Sequence, residues 1–112
     1  MNRPTRFYSN KQEKKVAKAI GGKQVCNSGA TAFEKGDVKT DDWLIECKTT
    51  TAIEKASFSI KKEWLEKNRE EAFAMNKTHS ALAFQFGVNE PNYYIISERH
   101  FKEYLRLLEE NW

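Results

Sequence analysis

The spacing of apolar residues predicts three helices and five short strands. A capping box, with Ser9 as N-cap and Gln12 three positions later, predicts a first helix that runs to about Ile20. A second helix is predicted over residues 59–76, beginning with a serine as its N-cap, and Ser97 caps the third. Glycines follow the first helix directly and end it.

Short segments rich in β-branched and aromatic residues, bounded by turn signals, predict the strands. They are residues 23–26, 36–40, 43–50, 80–86 and 92–96. The element order is therefore αβββαββα. This order predicts an α/β fold class, a single small domain with a central mixed β-sheet flanked by helices.

The composition fits one globular domain. The chain has 112 residues, of which 39% are hydrophobic, with 3 Trp, 4 Tyr and 7 Phe. We expect residues 1–112 to form one domain, with residues 1–8 as a flexible basic arm. No window approaches the roughly 18 apolar residues of a membrane span, and the N-terminal residues lack the apolar stretch of a signal peptide. A cytoplasmic protein is expected.

The cysteines and histidines offer little chemistry of their own. Cys26 and Cys47 lack metal-binding spacing and, without a secretory signal, are expected to be reduced thiols. Strand alternation places Cys47 on the core side, which favours a buried structural thiol over a nucleophile. His79 and His100 are interpreted as surface residues.

Two carboxylates are predicted to face each other across a hairpin. If Asp41-Asp42 is a two-residue turn, Asp37 lies directly opposite Glu46. The Cβ atoms of such neighbours are about 4.5–5.5 Å apart, so the two charges repel. A divalent cation that takes oxygen ligands, such as Mg²⁺, would compensate. A register shift of one residue would instead place the carboxylates on different faces.

Lys48 completes a candidate hydrolytic site. Alternate residues of a strand share a face, so Lys48 lies on the same side as Glu46. A metal ion that polarises a phosphoryl oxygen and a cation that stabilises developing charge are what phosphodiester hydrolysis requires. The alternative is a solvent-facing pair on a half-exposed strand, because Glu-x-Lys is common in charged proteins.

A third carboxylate comes from the first helix. Glu13 precedes Val16, Ala17 and Ile20 by three, four and seven positions, so it shares their apolar side. A helix packed on the sheet could present Glu13 to the same metal ion. The alternative is a glutamate at the margin of the apolar stripe that reaches solvent.

Basic residues gather in the first half of the chain. The first 62 residues hold 13 Lys and Arg against 7 Asp and Glu, whereas residues 63–112 hold 6 against 9. The asymmetry suggests one surface for a polyanion, although a solvated lysine-rich surface also accounts for it. The candidates for contacts with DNA phosphates are Arg3, Arg6, Lys11, Lys14, Lys15 and Lys23.

These residues, in this order, resemble the PD-(D/E)xK nuclease superfamily, which has a restriction-endonuclease-like fold. The likeness covers roughly residues 9–62 and rests on Glu13, Asn27-Ser28-Gly29-Ala30, Gly36-Asp37-Val38 and Ile45-Glu46-Cys47-Lys48. Within the superfamily, the chain is most similar to small Holliday junction resolvases of the archaeal type and their phage-encoded relatives. Gly36 stands where the superfamily's name has a proline.

The resemblance implies a homodimeric, Mg²⁺-dependent endonuclease, in which Mn²⁺ can substitute, that makes paired nicks in four-way DNA junctions. It implies no other protein partner. Asp37, Glu46 and Lys48 take the positions of the catalytic motif, and Glu13 completes the metal site with the two other carboxylates. Asn27-Ser28 takes the position of a loop that contacts DNA, with the serine near the scissile phosphate and among the catalytic residues.

Other functions fit the same residues. They are a related nuclease acting on other branched or duplex DNA, a non-catalytic DNA-binding module of this fold, and a small protein-interaction domain with the acidic pair as surface decoration. A DNA-binding module without catalysis has no need to keep Asp37, Glu46 and Lys48 together. Metal-dependent hydrolysis is therefore the preferred hypothesis.

Overall fold

The chain folds around a five-stranded mixed sheet. The computed structural model describes residues 5–25, 37–50 and 55–110. Its elements are α1 Thr5–Ile20, β1 Lys23–Gln24, β2 Asp37–Lys39, β3 Trp43–Lys48, α2 Lys62–Ala74, β4 His79–Phe84, β5 Tyr93–Ile95 and α3 Glu98–Glu110. The predicted element order and the small α/β fold class are confirmed.

The strands lie in the sheet in their order along the chain, β1-β2-β3-β4-β5. The pair β3–β4 is parallel, and the other neighbouring pairs are antiparallel. A parallel pair needs a crossover connection, and α2 supplies it between β3 and β4. The carboxyl ends of β3 and β4 therefore lie side by side.

The hairpin between β2 and β3 has the predicted two-residue turn. The amide of Thr40 donates to the carbonyl of Trp43 at 3.0 Å, and the Thr40 hydroxyl accepts from the Trp43 amide at 3.0 Å. These bonds enclose Asp41 and Asp42, which are both exposed. The predicted register, with Asp37 opposite Glu46, is confirmed.

Helix α1 covers one face of the sheet. Val16 of α1 packs in a buried cluster with Val38, Ile45, Cys47 and Ala83. Cys47 is a free, buried thiol, as predicted. Burying an aliphatic side chain of this size contributes roughly 1.5–3 kcal/mol, so this cluster holds the first helix on the sheet.

Helix α2 covers the opposite face of the sheet. Both faces of the β3–β4 pair are therefore buried. Leu44 and Leu82 are fully buried on the face that α2 covers, and Ala72 of α2 is buried as well. The side-chain amide of Asn68 donates to the carbonyl of Ala81 at 2.8 Å. This buried hydrogen bond fixes the position of α2 along β4, in addition to the apolar packing that holds the helix on the sheet.

Two helix starts differ from the prediction. Helix α1 begins at Thr5, one turn before Ser9, so residues 5–8 are helical rather than part of a flexible arm. Within this extra turn, the rings of Phe7 and Tyr8 are in edge-to-face contact, with their centres 5.3 Å apart. Residues 1–4 of the predicted arm lie outside the described residues.

Helix α2 begins at Lys62 rather than next to Ser59. Its N-cap is Lys61, in extended conformation and without a side-chain cap bond. Ser59 is exposed in the segment that leads to the helix. The serine cap of α3 is correct, because the Ser97 hydroxyl accepts from the His100 amide at 3.3 Å.

Helix α3 leaves an apolar side uncovered. Phe101, Leu105 and Leu108 are 54%, 41% and 58% exposed, and no residue of the helix is buried. Among the described helices, none combines the length and apolar character that a membrane span needs.

Candidate active site

The centre of the candidate site is a pair of buried carboxylates. Asp37 begins β2 and lies opposite Glu46 of β3, and their exposed fractions are 3% and 8%. On its other side, Glu46 pairs with the buried Leu82 of β4. Two carboxylates in register, with an aliphatic neighbour, interact more strongly than they would in water.

Lys48 lies at the edge of this pair, as the strand alternation predicts. Its ammonium nitrogen is 3.2 Å from Glu46 Oε2, and the side chain of Lys48 is 30% exposed. The same nitrogen lies 4.3 Å from the centre of the Trp64 ring on α2. The lysine is therefore held between a carboxylate and an aromatic ring, with part of its side chain open to solvent.

Two buried glutamines fix the carboxyl end of β3, and the sequence analysis missed both. The Gln12 amide donates to the Lys48 carbonyl at 2.8 Å and to Asn92 Oδ1 at 3.0 Å. Gln85 accepts from the Thr49 hydroxyl at 2.6 Å and donates to the Glu90 carbonyl at 2.9 Å. A signal for the first was available, since Gln12 stands four positions before Val16 on the apolar stripe of α1.

Glu13 lies on the other side of the sheet from the Glu46 side chain. It belongs to α1, which packs on the face of Ile45 and Cys47, whereas Glu46 points to the opposite face. Glu13 is buried, and its Oε1 accepts a hydrogen bond of 3.2 Å from Gln24 of β1. The alternative interpretation, a glutamate that reaches solvent at the margin of the stripe, does not hold, because Glu13 is only 8% exposed.

The three carboxylates nevertheless influence one thiol. Burial raises the pKa of Cys47, and the negative charges of Glu13, Asp37 and Glu46 raise it further. A thiol in these surroundings stays protonated at neutral pH and is a poor nucleophile. The same charges define a region of negative potential around the centre of β3.

The donor set fits a hard divalent cation held by two carboxylates. Asp37 and Glu46 supply oxygen ligands, and Mg²⁺ in proteins is commonly bound by one or two carboxylates together with waters and phosphates. Within residues 5–25, 37–50 and 55–110, no group of three or more His, Cys, Asp or Glu side chains is arranged to hold a metal ion. The structure thus brings together two of the three predicted ligands and not Glu13.

The structure describes some of the residues that are predicted to contact DNA. Lys11, Lys14 and Lys15 are exposed on α1, and Lys23 is exposed on β1, just after that helix ends. Arg6 belongs to α1, but its side chain is outside the described part. Arg3, Asn27 and Ser28 lie outside the described residues as well.

His79 and His100 are paired rather than isolated on the surface. His79 Nδ1 and His100 Nε2 are 2.6 Å apart, and both side chains are partly buried. Both rings lie against Trp43, with ring centres at 4.7 and 5.2 Å. The surface prediction is wrong because the first turn of α3 folds back onto the start of β4, a contact between distant parts of the chain.

No protein-family model, curated protein or solved structure matches the chain.

Proposed function

We propose that the protein is a Mg²⁺-dependent endodeoxyribonuclease that resolves four-way DNA junctions by paired hydrolysis of phosphodiester bonds. The observation that carries the proposal is the buried pair Asp37 and Glu46, in register across β2 and β3, with Lys48 3.2 Å from Glu46. Like charges directly opposite each other destabilise a sheet unless something compensates. A bound divalent cation would explain why the two carboxylates face each other, and Lys48 would bind the phosphate of the substrate.

Each residue has a chemical role in this proposal. Asp37 and Glu46 would hold Mg²⁺, or Mn²⁺ in its place, whereas Glu13, the third ligand that the resemblance implies, lies on the other face of the sheet. When bound, such an ion supplies the Lewis acidity that polarises a phosphoryl oxygen and acidifies a coordinated water. The Lys48 ammonium, oriented by Glu46, donates to a non-bridging phosphate oxygen and offsets the negative charge that develops there.

The surroundings support a DNA substrate. The exposed lysines of α1 and β1, at positions 11, 14, 15 and 23, provide sequence-independent contacts with phosphates. Arg3, Arg6, Asn27 and Ser28 belong to the same proposed surface on the strength of the resemblance. A DNA substrate also gives the protein its place in the cytoplasm of a bacterial, archaeal or phage-infected cell.

The proposal includes a homodimer, because a four-way junction has near two-fold symmetry and needs two nicks. A second copy fits the uncovered side of α3, where Phe101, Leu105 and Leu108 are exposed. The flank of that side carries Lys102 near one end and Glu109 near the other. Antiparallel pairing of two α3 helices brings each lysine to the other copy's glutamate, so the surface is self-complementary in charge.

The test is cleavage of a labelled four-way junction beside a linear duplex of the same sequence, with Mg²⁺ and with EDTA. We expect paired, Mg²⁺-dependent nicks near the branch point of the junction alone. Glu46→Gln and Lys48→Met should each reduce the rate by about 100-fold or more while DNA binding persists. The matched controls Glu66→Gln and Lys67→Met, at exposed positions of α2, should cleave like the wild type.

Each other outcome points to a different function. Cleavage of both substrates would favour a nuclease for other branched or duplex DNA. Binding without cleavage under any divalent metal would favour a non-catalytic DNA-binding module. Undiminished cleavage by Glu46→Gln would remove the active site from this strand pair.

A further inference from the structure

A cleft of about 510 Å³ opens between the residues that follow β3 and the start of α2, and the Lys48 ammonium lies over Trp64, one of its lining residues. Its walls combine hydroxyl groups, an ammonium group and two aromatic rings. They come from Thr49, Thr50, Lys55, Ser57, Phe58 and Trp64. The cleft is large enough for a nucleotide, and it adjoins the lysine assigned to the scissile phosphate.

Positive charge gathers around one ring of this cleft. The ammonium nitrogens of Lys48 and Lys61 lie 4.3 and 5.8 Å from the centre of the Trp64 ring. Lys55 adds a third ammonium group on the exposed rim. A cluster of cations beside an indole ring is suited to a phosphate chain that carries bases.

The aromatic surface continues from the cleft towards the sheet edge. Phe58 contacts Phe84, with ring centres 5.4 Å apart, and Phe84 contacts Tyr93 at 5.9 Å. Phe84 pairs in register with Lys48, so the two side chains share a face of the sheet. Tyr93 is 51% exposed. A row of rings thus runs from the cleft to the edge strand β5.

We infer that this cleft binds unpaired nucleotides of the DNA strand next to the scissile phosphate. The sugar-phosphate chain lies along Lys48, Lys55 and Lys61, and a base stacks on the ring of Phe58. Stacking on a protein ring needs a base that has left its helix, as at a branch point or a single-stranded extension. The inference rests on the proposed function, which makes DNA the substrate, and it adds that this DNA carries an unstacked base.

The test measures, by fluorescence anisotropy, how tightly the protein binds a labelled oligothymidine of about twelve nucleotides in the presence of EDTA. Stacking of a base on an aromatic side chain is strong enough that Phe58→Leu should weaken binding about ten-fold. Lys55→Ala should weaken binding and lower the slope of log K against log salt by roughly 0.7. The controls Phe73→Leu and Lys67→Ala, exposed on α2, should bind like the wild type.

A blunt duplex that competes as well as the single strand would overturn the inference, and so would unchanged binding by Phe58→Leu. Circular dichroism and a thermal melt check that this variant folds. If Phe58→Leu does not fold, Lys55→Ala decides, because that lysine is exposed. Unchanged affinity and an unchanged salt slope of Lys55→Ala would then overturn it.

The assay separates this inference from the proposed function because it contains no metal ion. Phe58-dependent binding of the single strand supports the cleft even if no junction is cut in Mg²⁺. If Phe58→Leu cleaves the junction and binds the single strand like the wild type, the inference that the cleft binds unpaired nucleotides is overturned. The nuclease proposal is unaffected by that result.

Discussion

Asp37 and Glu46 lie directly opposite each other across the β2–β3 pair, and both residues are buried, with exposed fractions of 3% and 8%. Two like charges that face each other away from most of the solvent repel, and the Lys48 ammonium, 3.2 Å from Glu46, supplies one positive charge against two negative ones. A relationship that is unfavourable for folding and chemically suited to a cation belongs to a functional site more readily than to a structural one.

Asp37→Asn should therefore separate stability from metal binding. In EDTA we expect its melting temperature to equal or exceed that of the wild type, because one of the two opposed charges is gone. Mg²⁺ at roughly ten times its dissociation constant should stabilise the wild type by about 1.4 kcal/mol and the variant not at all. Thermal melts of both proteins with EDTA and with Mg²⁺ measure this difference.

Asp42→Asn is the matched control, since Asp42 is an exposed aspartate in the turn of the same hairpin. It should keep the Mg²⁺-dependent rise in melting temperature. An equal rise in Asp37→Asn and the wild type would show that the cation binds elsewhere.

Gln12 should matter for both stability and catalysis. In Gln12→Leu, the carbonyl of Lys48 and Oδ1 of Asn92 lose their donor in a buried setting, which should cost about 1–3 kcal/mol. The end of β3 is then less firmly held, so junction cleavage should fall more than junction binding. Chemical denaturation and single-turnover cleavage measure the two effects.

Lys11→Leu, at the exposed neighbouring position of α1, is the control for a change of polarity on the helix. It should unfold at nearly the wild-type denaturant concentration. A Gln12→Leu variant as stable as this control would mean that the buried amide contributes nothing.

Helix α3 should carry the dimer contact. Leu108→Glu places a charge in the apolar side of α3 and should convert the dimer to a monomer in sedimentation experiments. Glu109→Lys should weaken the dimer, and Lys102→Glu combined with Glu109→Lys should restore it, because each charge again meets its opposite. Glu110→Lys changes the same charge on the side away from Phe101 and should have little effect. A wild-type chain that sediments as a monomer at high concentration would contradict the proposed contact.

The His79–His100 pair should make stability fall at acidic pH. Burial lowers the pKa of His100 below its usual 6.5; the charges of His79 and Arg99 lower it further, and Glu103 opposes them. The unfolded chain therefore takes up the proton first as the pH falls. This contribution to stability is complete above about pH 6.5 and is lost as the pH falls through the folded-state pKa.

Melting temperatures at pH 7.5 and pH 5 test this contribution. His100→Gln should lose less stability between the two pH values than the wild type does. Lys67→Gln, at an exposed position of α2, should keep the wild-type difference. An equal fall in melting temperature between the two pH values for His100→Gln and the wild type would exclude the histidine pair as the source of the acid sensitivity.

The hairpin shows how far local pattern reaches. Two-residue alternation and the short Asp41-Asp42 turn are sufficient to predict that Asp37 faces Glu46, because register in a hairpin is a local property. The helix starts show its limit. Ser9 and Ser59 fit the cap pattern, yet α1 begins at Thr5 and α2 at Lys62, because a cap residue favours a helix start without fixing its position.

The sequence by itself determined the order of elements, the α/β fold class and the pairing of the two carboxylates with Lys48, because each follows from the spacing of neighbouring residues. Only the tertiary structure decided that Gln12 holds the end of β3, that α1 and its Glu13 lie across the sheet from Glu46, and that His79 meets His100. These contacts join residues 21 or more positions apart, and no local period specifies which face of a sheet a helix will cover.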